Sequence, residues 1–426
     1  MLRPLAILAL WLLVPQQLFA HGIGQRIDLP IPLDIYLGAA AIVIVLSFLL
    51  IGFLGKRERA YTSYPSRDLM QVSWVRRVVA SRVLRAVLKA LSVIMLGILL
   101  YAGFFGDQTP TDNLLPIFVW VGFTVAFTYF VAFVGNIWPL INPWKALHEL
   151  VDSKERWKVG DWHYGVWPAV ALFFVFRWLE NVYPYATEPR ALAGIVLGYT
   201  VLTLLGMTLF GRSAWIKGGD PFSVFFRFLG HFAILSYEER DGRYEHRHLM
   251  PAVGLLKTER VSVSEIAFVL LALTSVSFDG ISSTAFAAGI LNAMRDVGFS
   301  LVIAQTTLLL GVFVVFVLVY SVFSVLIRNY AESEVSAREI GKRFVLSLLP
   351  IAIVYEVAHF SALLLTEGQR LFILMSDPFG YEWNLFGTAA YTIDISVIDA
   401  KSVWFLAVGA IVVGHIAAVY LSHVMA

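Results

Sequence analysis

A long apolar stretch from Phe299 to Ile327 decides the fold of this chain, and it reads FSLVIAQTTLLLGVFVVFVLVYSVFSVLI without a charged residue. A helix of about 20 apolar residues crosses the roughly 30 Å of hydrocarbon in a bilayer. A segment in lipid must be helical, because lipid offers the backbone no hydrogen-bond partners. The stretch therefore predicts a helix that crosses a membrane.

The composition of the whole chain agrees with a membrane protein. Hydrophobic residues make up 59% of the 426 positions and charged residues only 15%, whereas a soluble domain carries about 25% charged residues. The formal net charge is +2, so no strong positive field indicates a nucleic-acid partner. Because the chain has no cysteine, disulfides, thiolate metal sites and cysteine nucleophiles are excluded.

About nine apolar segments have the length of a membrane span. They are residues 33–55, 86–105, 114–136, 164–184, 190–211, 263–283, 299–327, 344–366 and 402–424. They predict an all-α fold, a polytopic transmembrane bundle in contact with a lipid bilayer. The segment from Phe222 to Leu235 is also apolar, but Arg227, Gly230 and His231 interrupt it. We expect this segment to lie on, or dip into, the cytoplasmic face as an interfacial helix.

The first residues of the chain predict export. An early arginine is followed by an apolar stretch from Leu5 to Val14 and then by Leu18-Phe19-Ala20. This order is typical of a secretory signal peptide, with an uncleaved signal anchor as the alternative. We therefore expect residues 1–20 to be removed and residues 21–426 to form a single integral membrane domain. Cleavage makes His21 the first residue, and its α-amine and imidazole are a chelating pair for Cu(II).

The basic residues between the spans predict the orientation. They are Lys56, Arg57, Arg59, Arg67, Arg76, Arg77, Arg82 and Arg85 in the first loop, Lys145, Lys154, Arg156 and Lys158 in the next, and Arg328, Arg338, Lys342 and Arg343 in a later one. The positive-inside rule places all three loops in the cytoplasm. We expect a multi-pass protein of a bacterial inner membrane, with its mature N-terminus in the periplasm and its C-terminus in the cytoplasm.

Three triplets combine an Asx residue, a proline and an aromatic residue: Asn142-Pro143-Trp144, Asp220-Pro221-Phe222 and Asp377-Pro378-Phe379. An Asx side chain caps a helix well, and proline suits the first helical position. Shared capping therefore explains the triplets without an internal duplication. The charged stretch from Glu238 to His248 predicts a solvated loop, in preference to a metal site at its His-x-His.

Ionisable residues inside membrane spans are costly, and they usually face the bundle interior or a water-filled cavity. The eighth segment contains Glu356 and His359 one helical turn apart, and the ninth contains His415. Nitrogen and oxygen ligands from two adjacent helices can hold a divalent metal such as zinc or copper. We predict a metal site of these three residues, and the alternative is a hydrogen-bond network that fixes helix packing. His21 is a separate candidate copper ligand, with an exposed terminal residue that binds no metal as the favoured alternative.

Further polar residues lie toward the periplasmic ends of two other segments. Arg177 and Glu180 are in the fourth segment, and Asp279 is in the sixth, where we expect Gly280 to end or break the helix. Arg177 and Glu180 can also simply neutralise each other, and Asp279 can be a helix-end carboxylate. The convergence of acid, base and imidazole groups predicts an outward-facing polar pocket. The long outer loop from Glu367 to Lys401 is a candidate lid.

Four blocks of sequence resemble a bacterial family of multi-span membrane proteins labelled fenitrothion hydrolase. They are His21 to Leu33 (HGIGQRIDLPIPL), Ser376 to Gly380 (SDPFG), Asn384 to Thr388 (NLFGT) and Gly414 to Ala418 (GHIAA). The resemblance extends over most of the chain. It implies hydrolysis of organophosphate esters, and it assigns no catalytic residues.

These observations predict a membrane-bound hydrolase of lipophilic, organophosphate-like esters. The predicted metal would lower the pKa of a bound water toward about 7, and Arg177 would polarise the phosphoryl group. Glu356 and Asp279 complete the candidate catalytic set. One alternative is a proton- or metal-coupled transporter of an ion or a lipophilic small molecule. Another alternative is a copper-handling or assembly protein that uses His21.

Overall fold

The computed structural model describes residues 64–152, 160–240, 243–256, 261–332 and 334–426, together with single positions between Gly38 and Leu49. The predicted signal peptide, His21 and most of the first predicted span lie outside the described residues. The same holds for the basic residues Lys56, Arg57, Arg59, Lys154, Arg156 and Lys158.

The structure is 75% helical, in agreement with the predicted all-α fold. The helices are α1 (Ser73–Ala80), α2 (Arg82–Phe105), α3 (Leu114–Phe133), α4 (Trp138–Ile141), α5 (Pro143–Val151), α6 (Trp167–Asn181), α7 (Pro189–Phe210), α8 (Arg212–Gly218), α9 (Pro221–Gly230), α10 (Val253–Leu256), α11 (Val263–Ser282), α12 (Ala285–Asp296), α13 (Leu301–Tyr330), α14 (Ala337–Phe344), α15 (Leu349–Thr366), α16 (Arg370–Ser376) and α17 (Ala400–Met425). Short 3₁₀ turns lie at Leu69–Gln71, Val345–Leu348, Glu367–Gln369 and Ile395–Val397.

Seven of the described helical segments are long and apolar enough to cross a membrane, which fits a multi-pass membrane protein. They are α2, α3, α7, α11, α13, the stretch Ala337–Ser376 and α17. Helix α6, which corresponds to the span predicted at 164–184, has 15 residues. It is about 22 Å long at 1.5 Å per residue, shorter than the hydrocarbon layer. The total of nine spans therefore stays a prediction.

Helix α9 is the interrupted apolar segment, and its ten residues are too few to cross a membrane. Eight of the ten residues are buried, including Phe222, Phe226 and Leu229. The helix packs against α3 and α6. It is therefore enclosed by other helices and does not lie along the outside of the bundle.

Two of the three Asx-Pro predictions are confirmed. Asn142 Oδ1 accepts a hydrogen bond from the backbone N–H of Lys145 at 2.9 Å, at the start of α5. Asp220 caps α9 in the same way, through Phe222 at 3.1 Å. The third prediction is wrong, because Asp377 follows the end of α16. Its side chain accepts from the backbone of Tyr381 in a turn.

A small antiparallel sheet replaces the solvated loop predicted for Glu238 to His248. Strands β2 (Leu235–Arg240) and β3 (Arg243–His248) form a hairpin, and β1 (Arg67–Asp68) pairs with the other edge of β3. Strand β1 lies about 180 residues before β3, its pairing partner, in the sequence. Charge content alone therefore misses this sheet.

Contacts between loops identify the two ends of the bundle. At one end, the hydroxyls of Tyr64 and Tyr420 are 2.9 Å apart, so β1 and the end of α17 are neighbours. The basic helices α1 and α14 lie at this end, which we call the basic end. At the opposite end, the hydroxyls of Tyr101 and Tyr381 are 3.1 Å apart.

Close helix contacts depend on glycine at a few positions. A Cβ on Gly103 of α2 would lie 2.4 Å from Leu115 and 2.7 Å from Ala193. A Cβ on Gly414 of α17 would lie 2.1 Å from Val354 of α15. Small residues let membrane helices approach each other closely. The Gly414 contact holds α15 and α17 together beside the candidate site.

Candidate functional site

Three helices bring the predicted polar residues of the spans together. Helix α6 contributes Arg177 and Glu180, α11 contributes Asp279, and α15 contributes Glu356 and His359. We call these five residues the charged cluster. Their convergence depends on the packing of α11 against both α6 and α15.

Arg177 is the centre of the cluster. Its Nη1 donates to Glu180 Oε2 at 2.6 Å, one helical turn away, and its Nη2 donates to Glu356 Oε1 at 2.7 Å. The three side chains are only 6%, 6% and 7% exposed. The charge of Asp279 also acts on both Arg177 and Glu356. One guanidinium therefore links two helices through two buried carboxylates.

His359 and Asp279 form the second pair of the cluster. His359 Nε2 lies 3.7 Å from Asp279 Oδ2, with the imidazole 23% exposed and the carboxylate 2% exposed. The ring of Phe360 packs edge-on against the imidazole at 4.6 Å, and the ring of Tyr355 lies parallel to it at 6.5 Å. This pair joins α15 to α11, and the imidazole of His359 is more exposed than the carboxylate of Asp279.

Gly280 does not end or break α11, contrary to the sequence-based expectation, because the helix continues to Ser282. A Cβ at Gly280 would lie 2.4 Å from the hydroxyl oxygen of Tyr355. The glycine therefore allows α15 to approach α11 beside Asp279. This close approach brings the residues of the two helices into one cluster.

Two more residues complete the surroundings of the cluster. Asn181 Nδ2 donates to the carbonyl of Arg177 at 2.9 Å, and the hydroxyl of Tyr129 donates to the carbonyl of Glu356 at 2.7 Å. Among the described residues, neither Asn181 Oδ1 nor Arg177 Nε has a hydrogen-bond partner, although both atoms are buried. Buried polar atoms nearly always have partners. Arg177 therefore keeps an uncommitted donor within the cluster, and Asn181 provides an uncommitted acceptor beside it.

The cluster contains more acid than base. With its acids ionised and His359 neutral, three negative charges face the single positive charge of Arg177. Burying an unpaired charge costs several kcal/mol or more. Among these five residues the acids therefore outnumber the bases, which favours a proton, a charged imidazole or a further cation beside them.

The predicted metal ligands make other contacts. Glu356 binds Arg177, His359 faces Asp279, and His415 Nδ1 lies 2.8 Å from the carbonyl of Ile411 in its own helix. Within the part of the chain that the structure describes, no group of three or more His, Cys, Asp or Glu side chains is arranged to hold a metal ion. The zinc or copper site stays a prediction, as does copper at His21, which lies outside the described residues.

A second buried polar network joins the two helix caps. Asp220 accepts hydrogen bonds from the hydroxyls of Tyr199 and Ser223, both at 2.5 Å, and Asn142 Nδ2 lies 3.4 Å from it. Burial raises the pKa of the Asp220 carboxyl above its usual range. We call these residues the cap network. The paired Asx-Pro triplets were the sequence signal for it, but capping alone did not reveal that the caps meet.

The fold and the charged cluster define a class: a helical, multi-pass membrane protein with a buried, acid-rich centre. Comparisons with the known protein families, with curated proteins and with solved structures gave no match. The resemblance to the fenitrothion hydrolase family therefore stays a prediction. The function has to be argued from the geometry of this chain.

Proposed function

We propose that the protein is a proton-coupled membrane carrier whose charged cluster takes up and releases the coupling proton. The observation that carries the proposal is a set of three buried carboxyl groups, of which Glu180 and Glu356 bind the Arg177 guanidinium and Asp279 faces His359. Acids and histidines within a membrane are rare and often serve as proton relays. Transport was one of the alternatives from the sequence, and the excess of acid favours it.

The contacts of Arg177 support a mechanism for coupling. Its bond to Glu180 lies within α6, whereas its bond to Glu356 connects α6 to α15. Protonation of Glu356 would remove a charge-assisted hydrogen bond, which is about twice as strong as a neutral one. The link between α6 and α15 would then weaken. Proton binding would thus bias one arrangement of the helices over another, as coupling requires.

His359 offers a route for the proton. It is more exposed than Asp279 and Glu356, and it shares α15 with Glu356. An imidazole exchanges protons readily near neutral pH. In this proposal a proton that arrives at His359 acts first on the contact between His359 and Asp279. It then passes to the bond between Arg177 and Glu356. Both connections of α15 within the cluster therefore respond to protons.

The orientation of the carrier follows from its basic end. We propose that this end faces the cytoplasm of a bacterium, because arginine and lysine are enriched in cytoplasmic loops of inner-membrane proteins. The C-terminus then lies inside. Arg177 and Asp279 are near the last residues of α6 and α11, toward the opposite end. The cluster is therefore proposed to open toward the periplasm.

Charge movement on a solid-supported membrane tests the proposal. Proteoliposomes adsorbed on an electrode are exposed to a pH jump, and the transient current of proton binding is recorded. We expect a current in the wild type, its loss in Glu356→Gln, and its retention in Glu339→Gln. The control removes a carboxylate from an exposed pair on α14. A wild type without current, or a Glu356→Gln variant with the full current, contradicts proton coupling at this cluster.

A hydrolase is the second candidate, favoured by the His359–Asp279 pair. A carboxylate beside an imidazole is the arrangement of a general base, and the family resemblance points to the same chemistry. The test is release of phenolate from fenitrothion by purified protein. The control is His163→Asn, which changes an exposed histidine before the start of α6. Loss of this activity in both His359→Asn and Asp279→Asn, with activity kept in the control, favours the hydrolase. A wild type that releases no phenolate refutes it.

A further inference from the structure

A cavity of about 760 Å³ lies between α2, α3, α6, α7 and the start of α9. Its walls are almost entirely apolar, with aromatic rings such as Phe123, Trp138 and Phe222 around it. The five residues of the charged cluster are all described by the structure, and none of them lines the cavity. The cavity is therefore a separate feature within the same bundle.

One wall of the cavity has an unusual backbone. The middle of α3, Phe118–Phe127, is a π-helix of ten residues. Phe123, Ala126 and Phe127 of this segment line the cavity. π-Helices are rare, are mostly single turns, and occur frequently at functional sites. The backbone of α3 is thus a second observation, independent of the volume, that marks this region as a binding site.

Among the described residues that line the cavity, no side chain offers an uncommitted hydrogen-bond donor. Each side-chain donor there already binds within the protein: Tyr199 to Asp220 at 2.5 Å, Trp138 to Ser223 at 3.1 Å, Trp144 to Thr200 at 2.9 Å and Ser92 to the Lys89 carbonyl at 2.8 Å. A charged or phosphoryl-bearing group would lose its hydration without compensation. The walls therefore select an uncharged, apolar occupant.

The mouth of the cavity lies between exposed apolar side chains. Phe130, Val175 and Leu202 line the cavity and are 38%, 47% and 39% exposed. They lie on three different helices, and two of these helices are long and apolar enough to cross the membrane. A Cβ on Gly198, which also lines the cavity, would meet no atom within 4 Å. Apolar residues therefore surround a lateral opening.

We propose that this cavity binds an uncharged hydrocarbon group that reaches it sideways from the bilayer. The group is either the acyl chain of a phospholipid or the apolar body of a free lipophilic molecule. The volume lies within the range of about 300–1,000 Å³ usual for small-molecule sites. Transport of the bound molecule as a solute rests on the proposed carrier function, whereas binding of the hydrocarbon group in the cavity does not.

Photolabelling in lipid nanodiscs tests the binding. One probe is tetradecane with an aliphatic diazirine, and the other is phosphatidylcholine with the same diazirine on an acyl chain. Labelled positions are mapped by mass spectrometry. We expect labelling of the π-helix Phe118–Phe127, and of the exposed positions Leu318 and Val322 on α13 as a bilayer reference. Excess unlabelled tetradecane should reduce labelling of the π-helix by the free probe while leaving the reference unchanged.

Two glycines of α7 form a matched pair of variants. Gly198→Phe fills the opening and should lower labelling of the π-helix about tenfold, which corresponds to roughly 1.4 kcal/mol. Gly194→Phe lies one turn earlier, where a Cβ also meets no atom within 4 Å, and it does not line the cavity. It should label as the wild type does. If Gly198→Phe does not fold, the tetradecane competition in the wild type decides.

The outcomes distinguish the two possible sources of the hydrocarbon, and they distinguish the binding proposal from the carrier proposal. Labelling by the lipid probe identifies an acyl chain, and labelling by the free probe alone identifies a lipophilic solute. Equal labelling of the π-helix in Gly198→Phe and wild type overturns the proposal, and so does a competition without effect. Glu356→Gln should keep the labelling while losing the proton current, so that failure of one proposal is distinguishable from failure of the other.

Discussion

Replacement of Arg177 by methionine should destabilise the protein strongly, because this guanidinium is the centre of the charged cluster. The substitution removes two charge-assisted hydrogen bonds, at 2.6 and 2.7 Å, between side chains that are at most 7% exposed. Removing one partner of a buried ion pair costs about 3–5 kcal/mol. With an unfolding entropy of about 2.1 cal/mol/K per residue, this loss lowers the melting temperature by about 3–6 °C for the whole chain.

A double variant separates charge from packing. Glu356→Gln alone should cost only about 1 kcal/mol, since Arg177 keeps its bond to Glu180. In Arg177→Met/Glu356→Gln, one uncompensated carboxylate is gone, so the double variant should melt above Arg177→Met. Melting is followed through the fluorescence of the 12 tryptophans in detergent at neutral pH. A double variant that melts below Arg177→Met would refute the account of excess negative charge.

Three further predictions use melting in the same assay. Gly103→Val should cost about 1–3 kcal/mol through overcrowding, whereas Gly97→Val, where a Cβ meets no atom within 4 Å, should not; equal losses would contradict the packing argument. Asp220→Ala should cost about 2–4 kcal/mol, because a helix cap is lost and buried hydroxyls lose their acceptor; an unchanged melt would argue against the cap network. Burial lowers the pKa of His231 from its usual 6.5 to about 4, so the unfolded chain takes up this proton first as the pH falls. The free energy of unfolding should therefore be constant above about pH 6.5 and about 2 kcal/mol lower at pH 5. His231→Gln should show a smaller fall, and an identical acid profile would count against this origin.

Much of the fold follows from hydropathy, because lipid requires long apolar helices with internal hydrogen bonds. The described spans from α2 to α17 were predictable for this reason. The hairpin β2–β3 pairs two strands that are separated in sequence only by Asp241-Gly242, a dipeptide that favours hairpins, and the charge content of this stretch hid that signal. The pairing of β1 with β3 was not predictable, because these strands are distant in sequence. Likewise, the π-helix in α3 leaves no trace in apolar periodicity. These elements depend on tertiary contacts that composition does not encode.

The residues of the charged cluster were predictable individually, and their pairing was only partly so. The spacing of Arg177 and Glu180 predicts their contact within one helix. The bond from Arg177 to Glu356 depends on which helices are neighbours, which the sequence does not reveal. His415 illustrates the same limit: the sequence predicts it beside Glu356 and His359 in a metal site, and its ring nitrogen contacts the carbonyl of Ile411 in its own helix.

Infrared spectroscopy of the carboxyl groups tests the central claim most directly. The carbonyl stretch of a protonated carboxylic acid, identified by its shift in D₂O, is recorded as the pH is varied around neutrality. Burial raises the pKa of Asp220, so Asp220→Asn identifies the band of that residue separately. The account predicts a titrating band that is lost in Glu356→Gln and kept in Glu339→Gln. A wild-type spectrum without such a band, or a band that Glu356→Gln leaves unchanged, would contradict it.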